Sequence, residues 1–205
     1  MIDGHDGCGK TTVVDHLTER MGFSAVPRLR YLTDLFPSDE KEIRTWLRTA
    51  DYREICVAHF SALKAAMKIV NEDSEKRFVF DRGILTLEAG LCAIVQLRTG
   101  AATSSAREEL RSIAEGTLTL TAQRSMSVLL DSNLSGEALR EFVEQRKGSE
   151  LDPQYASYMC TFVVNIRAFS LEHENVIRVN AAERLPVVIE NIRGHLLKYN
   201  NAHHA

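Results

Sequence analysis

Nine residues near the start of the chain, Gly4-His5-Asp6-Gly7-Cys8-Gly9-Lys10-Thr11-Thr12, carry the clearest chemical signal. Gly4, Gly9, Lys10 and Thr11 satisfy the spacing G-x-x-x-x-G-K-[ST]. Wrapping a phosphate chain requires several backbone N–H groups to converge on it, and glycine lets the backbone approach that closely. A helix opening at Lys10 would aim its positive dipole end at the phosphates. Lys10 supplies a mobile cation for the β- and γ-phosphates, and the Thr11 hydroxyl can join the shell of a Mg2+ ion. The pattern predicts a site for ATP and Mg2+ lined by Gly4 through Thr12. The plainer alternative is a glycine turn before a helix.

Other residues have types suited to the same chemistry. Asp81 closes the apolar run Phe78-Val79-Phe80, at the strand edge where α/β ligands bind. A carboxylate there can order a water of the Mg2+ shell or take a proton from an acceptor hydroxyl; otherwise it pairs with a local arginine. The planar fork of Arg82 can clamp an acceptor phosphate. Asp6 is electrostatically odd inside a phosphate loop and must face away from the triphosphate. Arg28 and Arg30 leave the end of the second predicted strand and can line an acceptor pocket. Arg140, Arg146 and Lys147 alternate with Glu137, Glu141 and Glu144. They form either a lid that neutralises charge during transfer or a solvated helix face. Arg140 lies more than a turn from Arg146, so not all three can face the site, and Arg146 is the preferred lid residue. Trp46, Tyr52 and Phe60 offer a base-stacking surface or core packing. Cys8 reads as a small filler or as a thiol acidified by the helix dipole.

These residues need elements to position them. Segments 23–27, 77–81, 126–131 and 175–179 read as short buried strands. Only Met1, Ile2 and Asp3 precede Gly4, so the first strand is very short or lacks a few residues in this sequence. A helix is predicted over 10–21. Ile55, Ala58, Ala62, Ala66 and Ile69 share one helix face, as do Tyr155, Tyr158, Phe162, Ile166 and Phe169, and Leu185, Ile189, Ile192 and Leu196. Residues 84–97 are apolar nearly all round, which predicts a central buried helix. Loops are expected at 99–105, with Ser104 or Ser105 capping the next helix, and at 147–153. Strands alternating with helices imply a parallel sheet covered by helices.

Composition sets the remaining bounds. A chain of 205 residues with 44% hydrophobic and 26% charged residues suits one globular domain. A net charge of -3 speaks against nucleic acid as a partner. No apolar run approaches the roughly 18 residues of a membrane span, and none near the N-terminus has signal-peptide length. The four cysteines, Cys8, Cys56, Cys92 and Cys160, have neither redox nor zinc spacing and agree with a reducing, cytoplasmic compartment. The histidines are too scattered for a zinc site.

Together these motifs resemble thymidylate kinases. The loop GHDGCGKTT has the family's Asp and Gly in its middle, Asp81-Arg82 matches its Asp-Arg at a strand end, Arg53 in TADYRE resembles its Ala-Asp-Arg helix segment, and Arg140, Arg146 and Lys147 resemble its lid. The order of elements matches over about residues 1–199. Two departures stand out: Gly83 follows Asp-Arg where the family commonly has Tyr, and VPRLRYLTD replaces its Arg-Glu-Pro-Gly-Gly segment. The resemblance implies an α/β P-loop fold with a five-stranded parallel sheet, helices on both faces and a short lid at about 137–153, in a single domain spanning 1–205 with a polar tail at 200–205. It also implies transfer of the γ-phosphate of ATP to a nucleoside monophosphate. Lys10, Asp81, Arg82 and Arg146 would act in catalysis, Asp6, Arg28, Arg53 and Arg82 would hold the acceptor, and Thr11 and Asp81 would hold Mg2+. Asp6 would face the acceptor; its alternative is bracing the loop. Two other functions stay open: a nucleoside kinase with Asp81 as base, and a P-loop ATPase or switch. Small nucleotides or nucleosides are the expected partners, without nucleic acid or membrane, and a homodimer is compatible with the sequence.

Overall fold

The first three strands are short. In the computed structural model, which describes residues 1–73, 75–118, 121 and 125–203, β1 is Ile2–Gly4, β2 Ser24–Ala25, β3 Phe78–Val79, β4 Ser127–Asp131 and β5 Val176–Asn180. Every pairing between them is parallel. β4 reads Ser-Val-Leu-Leu-Asp and is buried throughout, as a parallel strand covered on both faces requires.

The expected single five-stranded sheet is not formed. The strands divide into a three-stranded ladder, β1-β4-β5, and a two-stranded ladder, β2-β3. One isolated bridge between Ile2 and Asp81 links them, through Ile2 N–H to Phe80 O at 3.0 Å and Arg82 N–H to Ile2 O at 3.1 Å. The pairing stops there because the backbone turns away at Arg82, whose φ is 76°.

The helices are α1 (Lys10–Met21), α2 (Glu40–Thr49), α3 (Tyr52–Glu72), α4 (Ile84–Thr99), α5 (Thr103–Ala114), α6 (Gly136–Lys147), α7 (Pro153–Ser170) and α8 (Leu185–His203). Alternate strand residues point to opposite faces. Ile2, Val128, Leu130 and Val179 pack with Val13, Val14 and Leu17 of α1 and with Val188, Ile189 and Ile192 of α8. Leu129 and Phe80 join the other core, built from α3, α4, α5 and α7. α4 is the central buried helix, as its all-round apolar sequence predicts.

Local signals set most boundaries. Asp152 caps α7 by accepting from Gln154 N–H at 2.9 Å and Tyr155 N–H at 3.2 Å, and Pro153 occupies the first turn. α6 runs to Lys147, so the loop expected at 147–153 is 148–152. Neither Ser104 nor Ser105 caps α5: the helix starts at Thr103, and Ala102 before it has no side-chain acceptor. The expected tail at 200–205 is helical to His203, while 204 and 205 lie outside the described residues. Among the described residues, no single helix is long and apolar enough to cross a membrane.

Candidate active site

β1 delivers the chain to the phosphate loop, and the loop opens α1. Gly4 has φ 141°, and a Cβ there would stand 2.5 Å from Leu130 O and 2.7 Å from Cys8 Sγ; no other residue fits. Gly7 and Gly9 are also left-handed. Lys10 is buried, and its ammonium donates to His5 O at 2.7 Å. His5 is buried too, with Nε2 2.8 Å from Ser132 Oγ and Nδ1 2.8 Å from Asp6 O. Burial holds its imidazole below the usual histidine range. Cys8 is buried, and burial pushes its thiol up although Lys10 lies beside it. The acidified-thiol reading fails, and Cys8 fills space against Gly4. Thr11 and Thr12 are exposed on the first turn of α1.

Two links join the loop to the end of β3. The Thr11 hydroxyl donates to Asp81 Oδ2 at 2.8 Å, and Arg82 Nη2 donates to Asp6 Oδ1 at 2.9 Å. The left-handed φ of Arg82 is uncommon outside glycine and marks a constrained position. Asp81 Oδ1 is buried and accepts no hydrogen bond from the described residues. A free buried carboxylate oxygen next to a threonine hydroxyl is a donor set that fits a hard divalent cation such as Mg2+.

Asp6 joins three elements. Beyond Arg82, its Oδ2 accepts from the Tyr155 hydroxyl of α7 and lies 3.8 Å from the Lys147 ammonium of α6. Lys147 also stands 4.2 Å over the Tyr155 ring. Burial opposes the charge of Asp6, yet Arg82 and Lys10, the Tyr155 hydrogen bond and Lys147 hold its carboxyl well below the usual carboxylate range. Burial, then the charge of Asp6, pushes the Tyr155 phenol up. Behind it, Tyr158 and Phe162 continue a stack at 6.0 Å spacing, and burial raises the Tyr158 phenol to about 12.

The lid residues separate as their spacing requires. Arg146 lays its stem over Gly7, 3.5 Å from where a Cβ would stand, with its guanidinium 5.1 Å over Phe142. Lys147 reaches Asp6, while Arg140 pairs with Glu144 at 2.9 Å. The structure does not bring Arg53 to Asp6 and Arg82: its guanidinium pairs with Glu109 of α5 at 2.6 Å and bonds the Tyr52 hydroxyl at 3.2 Å. Arg28 is exposed ahead of a short 3-10 turn, Leu29–Tyr31. Arg30 donates to the Tyr31 hydroxyl at 2.6 Å. Phe60 is core. Trp46 donates to Glu54 at 2.7 Å and meets Phe36, which also meets His59 edge-on at 4.9 Å. Burial holds His59 down at about 4, and the charge of Arg82 adds to that.

Sequence reasoning missed Tyr155, His59 and Asp131. Tyr155 was absorbed into an apolar helix face, although a tyrosine at the polar end of such a face still has a hydroxyl to satisfy, and His59 was not singled out. Asp131 ends β4 as Asp81 follows β3, and that parallel was the available signal. Its carboxylate is taken by Arg167 in a two-pronged pair at 2.7 and 2.9 Å, so it braces the sheet edge. Among the described residues no group of three or more His, Cys, Asp or Glu could hold a metal.

No family profile matches the chain, and no curated protein does. Solved structures do. Deoxyadenosine kinase from M. mycoides with bound dATP has a TM-score of 0.62 at 14% identity, over 95% of this chain and 97% of that one. The dCTP-bound structure has a TM-score of 0.53 at 14% identity, over 96% and 97%. Both are deoxyadenosine kinases, whereas the sequence motifs pointed to thymidylate kinases. The likeness is one of fold: this chain has the α/β P-loop architecture of those structures over nearly its whole length.

Proposed function

We propose that the chain is an ATP-dependent kinase that phosphorylates a hydroxyl of a nucleoside. The observation that carries this reading is the pairing at the loop: Thr11 donates to Asp81, while Arg82 donates to the carboxylate of Asp6. The monophosphate reading required Arg28, Arg53 and Arg82 to gather around an acceptor phosphate. Arg53 is committed to Glu109, and a phosphate approaching Arg82 would meet the negative charge of Asp6. An uncharged hydroxyl meets no such repulsion and can donate to a carboxylate. The fold likeness to deoxyadenosine kinases supports the same choice.

In this reading the loop amides and Lys10 hold the triphosphate and oppose the charge that develops on the transferring group. Thr11 and Asp81 would hold Mg2+, which would supply neutralisation of the phosphate charge. The Asp81 carboxylate would also take the proton of the acceptor hydroxyl. Arg146 and Lys147 cover the loop from α6. An ADP-release screen with ATP and Mg2+ over nucleosides and their monophosphates tests the proposal. Turnover with at least one nucleoside, exceeding that with its monophosphate, is expected. Preference for monophosphates would restore the acceptor first read from the sequence, and ADP release indifferent to any acceptor would favour an ATPase or switch.

A further inference from the structure

The site depends on a fixed spacing between two segments, the phosphate loop and Asp81-Arg82, and one residue outside both joins them. Ile2 uses its N–H and its carbonyl to hold Phe80 and Arg82. Parallel pairing would next have the Gly4 N–H donate to the carbonyl of Arg82. The left-handed turn at Arg82 removes that partner. The side chain of Thr86 replaces it: its Oγ1 accepts from Gly4 N–H at 3.2 Å.

The exchange is reciprocal. The Thr86 N–H, in the first turn of α4, donates to Asp3 Oδ1 at 2.7 Å. Asp3 is wholly buried, and its carboxylate stands at the N-terminus of α4, where a negative charge is favoured. It does the work of a helix cap supplied from a neighbouring strand, since Gly83 at the cap position has no side chain. Gly83 has to be glycine for this to happen: a Cβ there would stand 2.6 Å from Asp3 Oδ2 and 2.3 Å from Met1 Cβ. Gly83, where thymidylate kinases commonly have Tyr, is thereby accounted for by the space the Asp3 carboxylate needs.

We infer that Thr86 is a positioning residue for phosphoryl transfer, a latch that sets the phosphate loop against Asp81 and Arg82 by holding the Gly4 amide. This rests on the proposed kinase activity for its kinetic consequence but not for its structural one. Thr86→Val keeps the side-chain shape and removes the acceptor; Thr86→Ser keeps the hydroxyl. Two readouts are taken on the full chain. In steady-state kinetics with the best nucleoside, Thr86→Val is expected to lower kcat about ten- to a hundredfold, the scale of a small misplacement of reacting groups, with the nucleoside KM changed less than threefold, and Thr86→Ser is expected to recover most of kcat. In amide hydrogen exchange, Gly4 is expected to exchange faster in Thr86→Val and near the wild-type rate in Thr86→Ser. Faster Gly4 exchange with unchanged kcat would overturn the positioning role. Unchanged Gly4 exchange, or Thr86→Ser as impaired as Thr86→Val, would overturn the latch itself. If the wild type phosphorylates no nucleoside, the kinase reading fails while the exchange data still decide the latch.

Discussion

Removing the contact between Asp6 and Tyr155 tests whether the loop carboxylate binds α7 to the phosphate loop. Asp6→Ala strips the partner from the Tyr155 hydroxyl, which sits part-buried. It also frees the guanidinium of Arg82, whose side chain is 57% exposed and so recovers water at small cost. Tyr155→Phe leaves Asp6 still paired with Arg82. A hydrogen bond to an ionised group is worth about 1.5–3 kcal/mol, so each single variant should lose about 1–2 kcal/mol, with the Arg82 pair discounted for its exposure. Because the two changes remove one shared bond, the double variant should fall short of their sum by about 1–2 kcal/mol. Urea unfolding of the wild type, both single variants and the double variant at pH 7 measures this. Asp6 is held below its ordinary value in the folded chain, against about 3.9 unfolded. Its contribution is therefore complete above the unfolded value and is lost only as pH falls through the folded one. The coupling should be the same at pH 6 and pH 8. Additivity within about 0.5 kcal/mol, or a coupling that changes between those two pH values, would refute the role given to Asp6.

Three further outcomes are expected. Lys10→Ala should lower kcat at least about a hundredfold, since its ammonium opposes charge on the transferring group, in a protein whose circular dichroism spectrum is unchanged; near-normal turnover would remove the phosphate site. Gly83→Ala should destabilise the fold by about 1–3 kcal/mol through overpacking against Met1 and Asp3, and an unaltered urea midpoint would mean the α4 cap is looser than described. His59 is neutral in the fold and is held at about 4, against about 6.5 unfolded. The unfolded chain therefore gains a proton first as pH falls, and stability present above about pH 6.5 is lost towards pH 4, by at most about 3 kcal/mol. His59→Phe should flatten the pH dependence of the urea midpoint across that window.

The sequence disclosed the elements whose signal is local. The phosphate loop is written in nine consecutive residues, and the apolar period of α7 and most of those of α3 and α8 reach the core, although Leu185 at the start of α8 is exposed and Ile69 of α3 stays outside it. α4 was legible because its sequence is apolar on every side. What stayed hidden depends on contacts across the chain. The split of the sheet follows from one backbone turn at Arg82, which no period encodes. Arg53 resembled an acceptor-binding residue, but Glu109, 56 positions later, decides where its guanidinium points. Tyr155 fitted an apolar face so well that its hydroxyl went unread. Asp3 and Thr86 lie 83 positions apart, and neither residue carries any mark of the other.

The placement of Asp6 answers the electrostatic objection raised by its position. A carboxylate inside an anion-binding loop ought to repel the triphosphate. Here it is held by Arg82, Lys147 and Tyr155, and Lys10 also favours its charge. Both of its oxygens are taken, Oδ1 by Arg82 and Oδ2 by Tyr155 and Lys147. A monophosphate acceptor would add negative charge against Asp6 and have to break its pair with Arg82 before binding. A nucleoside would need neither step. The residue that looked least compatible with a phosphate loop thus has its charge offset by Arg82 and Lys147, and under the proposed reading that pairing is what an acceptor phosphate would have to displace.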